Sequence, residues 1–356
     1  MKSKLQTLLN LRCGIVQAPM AGGPTTPELV TAVTAAGALG SFGFAYSTPE
    51  QIDVLCRDFR ELCARSGLES DCGWNANFFV FPQLDEPEAG AVIGAVKKLQ
   101  PLLPRVEIDA SALKHATKLP QLSDQVNAAL VYKPSLISFH LGIPEKEIID
   151  VIHSANCHVA MSATNLAEAT AAQAAGADFI VAQGYEAGGH RGVFDTTAAD
   201  DKLATLDLVK VISENCSSPV IAAGGIMEGS DIAAALGCGA DAVQLGSAFL
   251  TVDECGSSAV YREAIESLGN RETQITTGFS GRPARGIRNL FIDSTSDATV
   301  LPFPWQNSLT GVLRKVAGQQ RDFELMSLWA GTGYLKSRNC TAAQLIESLL
   351  REIESD

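Results

Sequence analysis

The chain has 356 residues, and its 40 acidic against 27 basic residues give a formal net charge of −13. Such an acidic protein repels nucleic acids and anionic membranes, which excludes both as general partners. Its composition, 46% hydrophobic and 19% charged, is that of a globular protein and not of a disordered one. Nine scattered cysteines without a C-x-x-C pair indicate reduced thiols and a cytoplasmic protein. The one long uncharged run, residues 29–49, is broken by glycines and is not expected to span a membrane.

Short apolar segments alternate with Ala-rich helical segments along most of the chain, which is the pattern of repeated β-α units around a parallel sheet. The predicted strands, in chain order, are Gly14–Ala18, Ala38–Phe42, Gly73–Val80, Leu136–His140, His158–Ser162, Phe179–Gln183, Val220–Ala223 and Ala242–Leu245. Eight strands is the number that closes a (β/α)8 barrel. The sequence therefore predicts an α/β protein built on a TIM barrel.

Two of the helices between these strands carry recognisable ends. Thr164 or Asn165 is expected to cap a helix over residues 166–175, which stops at a glycine. Ser230 is expected to cap a second helix over residues 231–236, which also stops at a glycine.

The β-α alternation lapses after the eighth predicted strand. Residues 251–304 hold a predicted helix and a Gly/Arg-rich stretch, and helical segments return after them. We expect residues 251–304 to form a small inserted subdomain over the barrel mouth, while residues 1–250 and 305–356 form the barrel. Solvated surface is the default expectation for three arginines of this insertion, Arg282, Arg285 and Arg288.

Functional groups of a barrel come from the carboxyl ends of its strands and the loops after them. Gly224-Gly225 and Gly246-Ser247 follow the seventh and eighth predicted strands, where barrels commonly bind a phosphate through backbone N–H groups. Glycine lets the backbone approach the anion because it has no Cβ. The two pairs favour a phosphate site over simple tight turns, and the phosphate could belong to a cofactor or to a substrate.

Three carboxamides, Asn77, Gln183 and Gln244, lie at or near strand ends. An amide both donates and accepts hydrogen bonds, which suits an uncharged heteroaromatic ring with C=O and N–H edges. Together with a phosphate they suggest a mononucleotide such as FMN. The alternative is that they satisfy buried backbone groups at the barrel rim.

The loop over residues 183–192 contains four glycines and presents His190. A largely neutral imidazole is a suitable general base for a carbon acid. The neighbouring Arg191 could attract an anionic substrate or form a surface ion pair. His140 ends the fourth strand and could contact the substrate in the same cavity or be hydrogen-bonded inside the barrel. No metal-binding spacing of His, Cys or acidic residues is present, so no catalytic metal is expected.

Six motifs together resemble the FMN-dependent nitronate monooxygenases, formerly called 2-nitropropane dioxygenases. They are QAPMAGG (17–23), SFHLG (138–142), QGYEAGGHRG (183–192), PVIAAGGI (219–226), VQLGSAFL (243–250) and FSGRPARGI (279–287). Single motifs of this kind occur in many phosphate-binding barrels, whereas the six in this order cover nearly the whole chain.

The resemblance implies a TIM barrel that holds FMN non-covalently, with a smaller domain over its mouth. Gly224 belongs to the phosphate site, and His190 matches the histidine that the family places at the substrate. The positions that match the family's flavin-binding residues are Asn77, Gln183, Gly188, Gly225, Gln244, Leu245, Gly246 and Ser247, with Met20 beside the ring.

The resemblance also implies oxidation of alkyl nitronates, such as propionate 3-nitronate, with O₂ to carbonyl compounds and nitrite. FMN-dependent enoyl-[acyl-carrier-protein] reductases and NADH:quinone reductases share the barrel and several motifs, so an NADH-linked reductase is the main alternative. SFHLG together with FSGRPARGI favours the monooxygenases. A flavin-free aldolase or isomerase and a non-catalytic binding protein are further alternatives. The sequence leaves the oligomeric state open, including a homo-oligomer.

Overall fold

The computed structural model describes residues 2–69, 72–81, 85–114, 119–296 and 299–355. Its strands are β1 (Ile15–Gln17), β2 (Gly40–Gly43), β3 (Trp74–Phe79), β4 (Leu136–His140), β5 (His158–Ala163), β6 (Phe179–Gln183), β7 (Gly189–His190), β8 (Val220–Ala223), β9 (Ala242–Leu245), β10 (Thr273–Thr276) and β11 (Ala284–Ile287). Its α-helices are α1 (Lys4–Leu8), α2 (Pro27–Ala35), α3 (Pro49–Arg65), α4 (Ala89–Leu99), α5 (Leu122–Leu130), α6 (Lys146–Ser154), α7 (Leu166–Ala175), α8 (Thr205–Asn215), α9 (Gly229–Gly237), α10 (Ala259–Ser267), α11 (Leu290–Ser294), α12 (Trp305–Gln319) and α13 (Ala342–Ser355).

Eight strands form one parallel sheet in the order β1-β9-β8-β6-β5-β4-β3-β2. A parallel bridge between Val16 and Leu39 joins the two outer strands. Across it, Gln17 N donates to Leu39 O and Leu39 N donates to Ile15 O, each over 2.9 Å. The sheet is thereby closed into a barrel, and the predicted TIM barrel is confirmed, with all eight predicted strands present.

Alternate residues of the barrel strands face two different cores, as the two-residue period of a strand requires. In β6, Val181 belongs to the core inside the barrel, whereas Ile180 and Ala182 pack in the core between the strands and the helices. In β9, Ala242 lies inside and Val243 lies outside. This alternation decides which side chains at the strand ends can face the barrel mouth.

One of the two predicted helix caps is confirmed and the other is wrong. Asn165 caps α7 by accepting a hydrogen bond from Glu168 N, and the helix ends at Gly176, as expected. The prediction for α9 is wrong, because the helix begins at Gly229 and its N-cap is Glu228. The carboxylate of Asp231 accepts hydrogen bonds from the backbone N–H groups of residues 227 and 228, so Ser230 lies inside the helix.

A second hydrophobic core lies outside the barrel. It combines side chains from three stretches of the chain, including Leu99 of α4, Ile265 of α10, Phe279, and Leu309 of α12. Residues 89–113 and 305–334 thus pack in the same core as much of the 251–304 segment. The domain division that we expect at residues 251 and 304 stays a prediction.

A three-stranded antiparallel sheet in the order β10-β11-β7 connects this second core to the barrel. Its register places Ala284 opposite His190 and Arg285 opposite Gly189. Arg191 N extends the pairing by donating to Pro283 O over 2.8 Å. The sheet therefore fixes the glycine-rich loop after β6 at the barrel mouth. Within the described part of the chain, no helix combines the length and apolarity that crossing a bilayer requires.

Gln17 is predicted to stabilise the closure of the barrel. Its buried Oε1 accepts a hydrogen bond from Ser41 N of β2 over 2.9 Å, beside the single bridge between β1 and β2. The substitution Gln17→Leu leaves this N–H buried without an acceptor, which costs about 1–3 kcal/mol. We expect the guanidinium midpoint, followed by circular dichroism, to fall accordingly. Gln100→Leu, at an exposed position, should change the free energy of unfolding by less than about 0.5 kcal/mol. Equal effects of the two substitutions would contradict this role.

Candidate active site

The barrel mouth opens into a cavity of about 630 Å³, a size typical of cofactor and small-ligand sites. Each of the eight barrel strands contributes lining residues from its carboxyl end or the loop that follows. The outer wall comes from the second core, through Tyr261, Asn307, Arg314 and Trp329. The cavity therefore lies between the barrel and the segments that follow its last strand.

His190 lies in the wall of this cavity. Its Nε2 is hydrogen-bonded to Ser280 Oγ over 2.9 Å. The rings of Phe79, Phe303 and Trp329 surround the imidazole, with centroids 5.8, 6.0 and 5.8 Å away. Within the described residues, Nδ1 has no hydrogen-bond partner, so this nitrogen is the one left for a ligand.

Burial keeps this imidazole neutral. Desolvation, followed by the proximity of His140, Arg282 and Arg314, lowers the pKa of His190 to about 3. A positive charge is unfavourable in an apolar site that already holds other cations nearby. The imidazole therefore enters any reaction as a neutral donor or acceptor.

The carbonyl oxygen of His190 is held by two barrel side chains. Gln183 Nε2 donates to it over 2.9 Å, and His140 Nε2 does so over 3.0 Å. The other ring nitrogen of His140 is 2.6 Å from Ser162 Oγ, and burial lowers the pKa of His140 to about 4. His140 lines the cavity as expected, but both of its ring nitrogens already bind protein atoms.

The three predicted carboxamides all line the cavity, and they differ in their hydrogen bonds. Gln183 Oε1 accepts from Gly192 N over 2.7 Å, so both ends of this amide bind the glycine-rich loop. Asn77 Nδ2 donates to the carbonyl and hydroxyl oxygens of Ser138 over 3.1 and 2.9 Å. In the described chain the side chain of Gln244 has no such partner, which leaves it available to a ligand.

The glycine pairs form a cradle of backbone donors at the ends of β8 and β9. Gly224 and Gly225 have φ angles of +127° and +70°, which side chains rarely adopt. Among the described residues, no protein acceptor pairs with the N–H groups of Gly225, Gly246 or Ser247. Ser247 Oγ accepts a hydrogen bond from Gly331 N over 2.9 Å, which joins the cradle to the outer wall. Unpaired N–H groups of this kind suit a phosphate.

Gly188 and Met20 also line the cavity. A Cβ on Gly188 would lie 2.5 Å from the backbone of Ala330 and Gly331. The close approach of these two backbones explains why a glycine is needed there.

The structure places Arg191 inside the protein, and not at its surface. Its guanidinium is completely buried and pairs with Asp200 through two contacts of 2.9 Å. It also donates to the carbonyl oxygens of Gln183 and Gly184 over 3.0 and 2.9 Å. Arg191 thus forms an internal ion pair, and it does not line the cavity.

The side chain of Leu245, a residue predicted to contact the flavin, lies away from the cavity. Its side chain packs in the core between the strands and the helices, because it faces away from Gln244 in the strand alternation. Gln244, Gly246 and Ser247 line the cavity, and Leu245 does not.

We expected Arg282, Arg285 and Arg288 to lie on the solvated surface, and this expectation is wrong for two of them. Arg282 and Arg285 are buried and donate to the carbonyl oxygens of Val193 and Tyr185. Arg288 is exposed and pairs with an aspartate. None of the three lines the cavity.

Comparison with known proteins agrees with this architecture. The sequence profile described as "Nitronate monooxygenase" matches residues 3–352. The chain belongs to the nitronate monooxygenase family. It is 36% identical to "Nitronate monooxygenase" of Pseudomonas aeruginosa over 99% of both chains, and 37% identical to that of Paraburkholderia phytofirmans over 99% of this chain and 95% of the other.

Two solved structures extend the comparison. The nitroalkane oxidase from Streptomyces ansochromogenes has a TM-score of 0.88 and 34% identity, covering 99% of this chain and 98% of the other. FabK from Thermotoga maritima has a TM-score of 0.75 and 26% identity, covering 100% and 97%. The reductase alternative is therefore less supported than membership of the nitronate monooxygenases, which are flavin-dependent oxidoreductases.

A flavin mononucleotide fits the residues of the cavity. The volume, the unpaired backbone donors beside Gly225 and Gly246, and the unpartnered amide of Gln244 match a ligand with a phosphate and a polar heteroaromatic ring. Within the described ranges, no group of three or more His, Cys, Asp or Glu side chains could hold a metal ion.

The aromatic residues and the outer-wall residues of the cavity were not predicted from the sequence. Phe79 lies two residues after Asn77 in β3, so the strand alternation could have identified it. Asn307 and Arg314 are seven residues apart in α12, which places them on one helix face. No local signal connects that helix to the barrel mouth.

The buried imidazoles of His140 and His190 are predicted to make the stability of the fold depend on pH. The unfolded chain protonates these imidazoles near the ordinary pKa of about 6.5, whereas His140 and His190 resist protonation until about 4 and about 3 when folded. Both therefore reduce the stability of the fold as the pH falls below that unfolded value. Imidazole ¹³C resonances should stay constant between about pH 5 and pH 8.

Comparison with His140→Gln and His190→Asn assigns the two resonances. If either resonance shifted with a pH midpoint near about 6.5, the ordinary pKa of an imidazole, burial would not be what keeps that imidazole neutral.

Proposed function

We propose that the protein oxidises small alkyl nitronates with O₂ to carbonyl compounds and nitrite, with non-covalently bound FMN as its cofactor. The observation that carries this proposal is that His190 lines the same cavity as the glycine cradle, where neither its Nδ1 nor the backbone N–H groups of the cradle have a partner among the described residues. Relatives named nitronate monooxygenase over nearly the whole chain support the reaction type. The scattered cysteines support a cytoplasmic location.

The residues at the ends of β8 and β9 would hold the cofactor. The N–H groups of Gly225, Gly246 and Ser247 would bind its phosphate, and Gln244 and Met20 would contact the ring system. Bound FMN supplies the redox chemistry that connects nitronate oxidation to O₂. The protein contributes binding, orientation and an apolar enclosure.

His190 would contact the nitro group of the substrate. The Ser280 hydroxyl accepts from Nε2 when it donates its proton to the carbonyl oxygen of Arg282, 3.1 Å away, and donates to Nε2 when it gives up that bond. Either neutral tautomer of the imidazole is therefore compatible with the contact. As a donor, Nδ1 would hydrogen-bond a nitronate oxygen; as an acceptor, it would remove the α-proton of a neutral nitroalkane. The lowered pKa of His190 makes proton removal unfavourable. The site therefore favours substrates that arrive already ionised.

Anaerobic mixing tests this function. We expect the purified protein to have a flavin spectrum that bleaches rapidly with propyl-1-nitronate and slowly with NADH. Nitropropane at a pH where it is neutral should bleach it more slowly than its nitronate, because His190 is a weak base in this site. In air, nitrite and propanal should form from the nitronate.

The outcomes separate the alternatives. Rapid bleaching by NADH with no nitronate reaction would indicate a reductase, and a colourless protein would indicate a flavin-free barrel. His190→Asn should retain flavin and react more slowly with both nitro compounds. Unchanged rates would remove the imidazole from the proposal.

A substitution at Gly246 tests whether the glycine cradle binds the cofactor, without disturbing the fold. Its φ is −105°, and a Cβ there would meet only Ala18 Cβ at 3.6 Å, so the backbone tolerates a side chain. Gly246→Val should fold normally but bind FMN at least about tenfold more weakly, since the added groups enter the cradle. Fluorescence titration of the stripped protein with FMN measures this. The control is Gly90→Val, at an exposed helix position with no neighbour within 4 Å. Equal FMN affinity in both variants would place the phosphate elsewhere.

A further inference from the structure

Two cysteine side chains are in contact at the end of the barrel opposite the cavity. Cys63 lies in the last turn of α3, and Cys72 lies two residues before β3 begins at Trp74. Their sulfur atoms are 3.6 Å apart and share a hydrogen bond. Among the described residues, no other two cysteines are hydrogen-bonded to each other. The cavity is lined from the carboxyl ends of the strands, so this pair belongs to no part of the candidate active site.

The backbone brings these two sulfur atoms together. The carbonyl oxygen of Cys63 accepts hydrogen bonds from Ser66 N and Leu68 N over 3.1 and 2.9 Å, which turns the chain back over the end of α3. Cys72 N donates to Glu69 O over 3.1 Å. Both cysteines pack on the core between the strands and the helices. From this contact the sulfurs need to approach by about 1.5 Å to reach the length of a disulfide bond, about 2.0 Å.

The two thiols differ in exposure and in the charge beside them. Cys63 is 2% exposed, and the hydrogen bond with Cys72, followed by burial, raises the pKa of Cys63. Cys72 is half-buried, and Arg60 Nη1 donates to its sulfur over 3.5 Å. A guanidinium in contact with a sulfur favours the thiolate, which is the reactive form. Cys72 is therefore the thiol that a small oxidant can reach and attack, with a protonated thiol beside it.

This combination of a cation and a second thiol is particular to the end of α3. Arg60 is held there because its Nη2 donates to the carbonyl oxygen of Tyr132 over 2.5 Å. Three other cysteines, Cys216, Cys238 and Cys340, are also half-buried. In the described chain none of these three is hydrogen-bonded to a guanidinium or to another cysteine.

We propose that Cys63 and Cys72 form a redox modification site, at which a peroxide converts the two thiols into a reversible disulfide. The thiolate of Cys72 attacks one oxygen of hydrogen peroxide, which forms a sulfenic acid and releases hydroxide. The thiol of Cys63 then attacks the sulfenic sulfur. The S–S bond forms, the S–O bond breaks, and the thiol proton leaves with the hydroxyl group as water.

The electrons of this reaction balance, because the peroxide gains the two electrons that the two thiols lose. A small dithiol such as dithiothreitol supplies two electrons and two protons and restores both cysteines. The disulfide also protects Cys72, since a sulfenic acid that is not captured by a thiol oxidises further to a sulfinic acid, which dithiols do not reduce. Cys63 is thus the resolving thiol of the pair.

Peptide mapping of the holoenzyme tests this proposal. Trypsin cleaves after Arg65, so the two cysteines fall in separate peptides, residues 61–65 and 66–97. After treatment with hydrogen peroxide and blocking of the remaining thiols with N-ethylmaleimide in denaturant, we expect these two peptides to be joined by a disulfide. Seven of the nine cysteines should then carry the blocking group. Dithiothreitol should separate the two peptides.

Substitutions test the role of each residue. Cys72→Ser should give no linked peptides, and Cys63→Ser should give a sulfenic acid at Cys72 that dimedone captures. Arg60→Met should slow the reaction of Cys72 with peroxide at about pH 7 by about 3- to 10-fold, because the thiolate loses its cation. Arg60→Lys should restore part of the rate. Arg57→Met is the matched control, since it removes an exposed charge from the same helix and should react at the wild-type rate.

Several outcomes would overturn the inference. They are a sulfinic acid at Cys72 of the wild type without linked peptides, a disulfide from Cys72 to a different cysteine, and faster oxidation of Cys216 than of Cys72. Equal rates for Arg60→Met and the wild type would overturn the assignment of Cys72 as the activated thiol. The wild-type measurement needs no substitution, so it decides the matter even if a variant does not fold. None of these readouts involves a nitronate, so the result is independent of the proposed function.

Discussion

Two hydrogen bonds to the carbonyl oxygen of His190 hold the glycine-rich loop, and with it the imidazole, at the barrel mouth. Gln183 ends β6 and His140 ends β4, on either side of β5, and both donate a side-chain N–H to this one oxygen. The pairing of β7 with β11 holds the same loop from the opposite side. The imidazole is therefore positioned by the barrel rim and the second core together. In this position, among aromatic side chains and next to other cations, the imidazole is kept neutral by desolvation.

Much of the composition of the site follows from one property of parallel barrels. The carboxyl ends of all strands lie at the same rim. That property is sufficient to predict that His190, the glycine pairs and the carboxamides lie together, since each follows a strand in the sequence. It does not predict what a side chain binds there. Arg191 comes next to His190 but pairs with Asp200, nine residues later, in a loop without regular structure. The strand alternation could have shown that Leu245 faces the helices, because Gln244 beside it faces the mouth.

The outer wall could not be predicted from local patterns. Asn307 and Arg314 share a face of α12, but nothing in the sequence connects that face to the mouth of a barrel whose last strand ended far earlier in the chain. The second core decides the connection, because α12 packs there with segments from residues 89–113 and 251–304. The domain limits expected from the lapse of alternation therefore say little about which segments pack together.

The wall and the barrel also belong to different stages of synthesis. A chain leaving the ribosome exposes all eight barrel strands by Leu245, whereas Arg314 and Gly331 follow only later, and chains fold progressively from the N-terminal side as they emerge. The last helix of the barrel, α13, follows both of these residues and packs in the core between the strands and the helices, so the chain of the outer wall is synthesised before the barrel is complete. A cofactor can therefore meet a finished barrel only when the chain that forms its outer wall is already present.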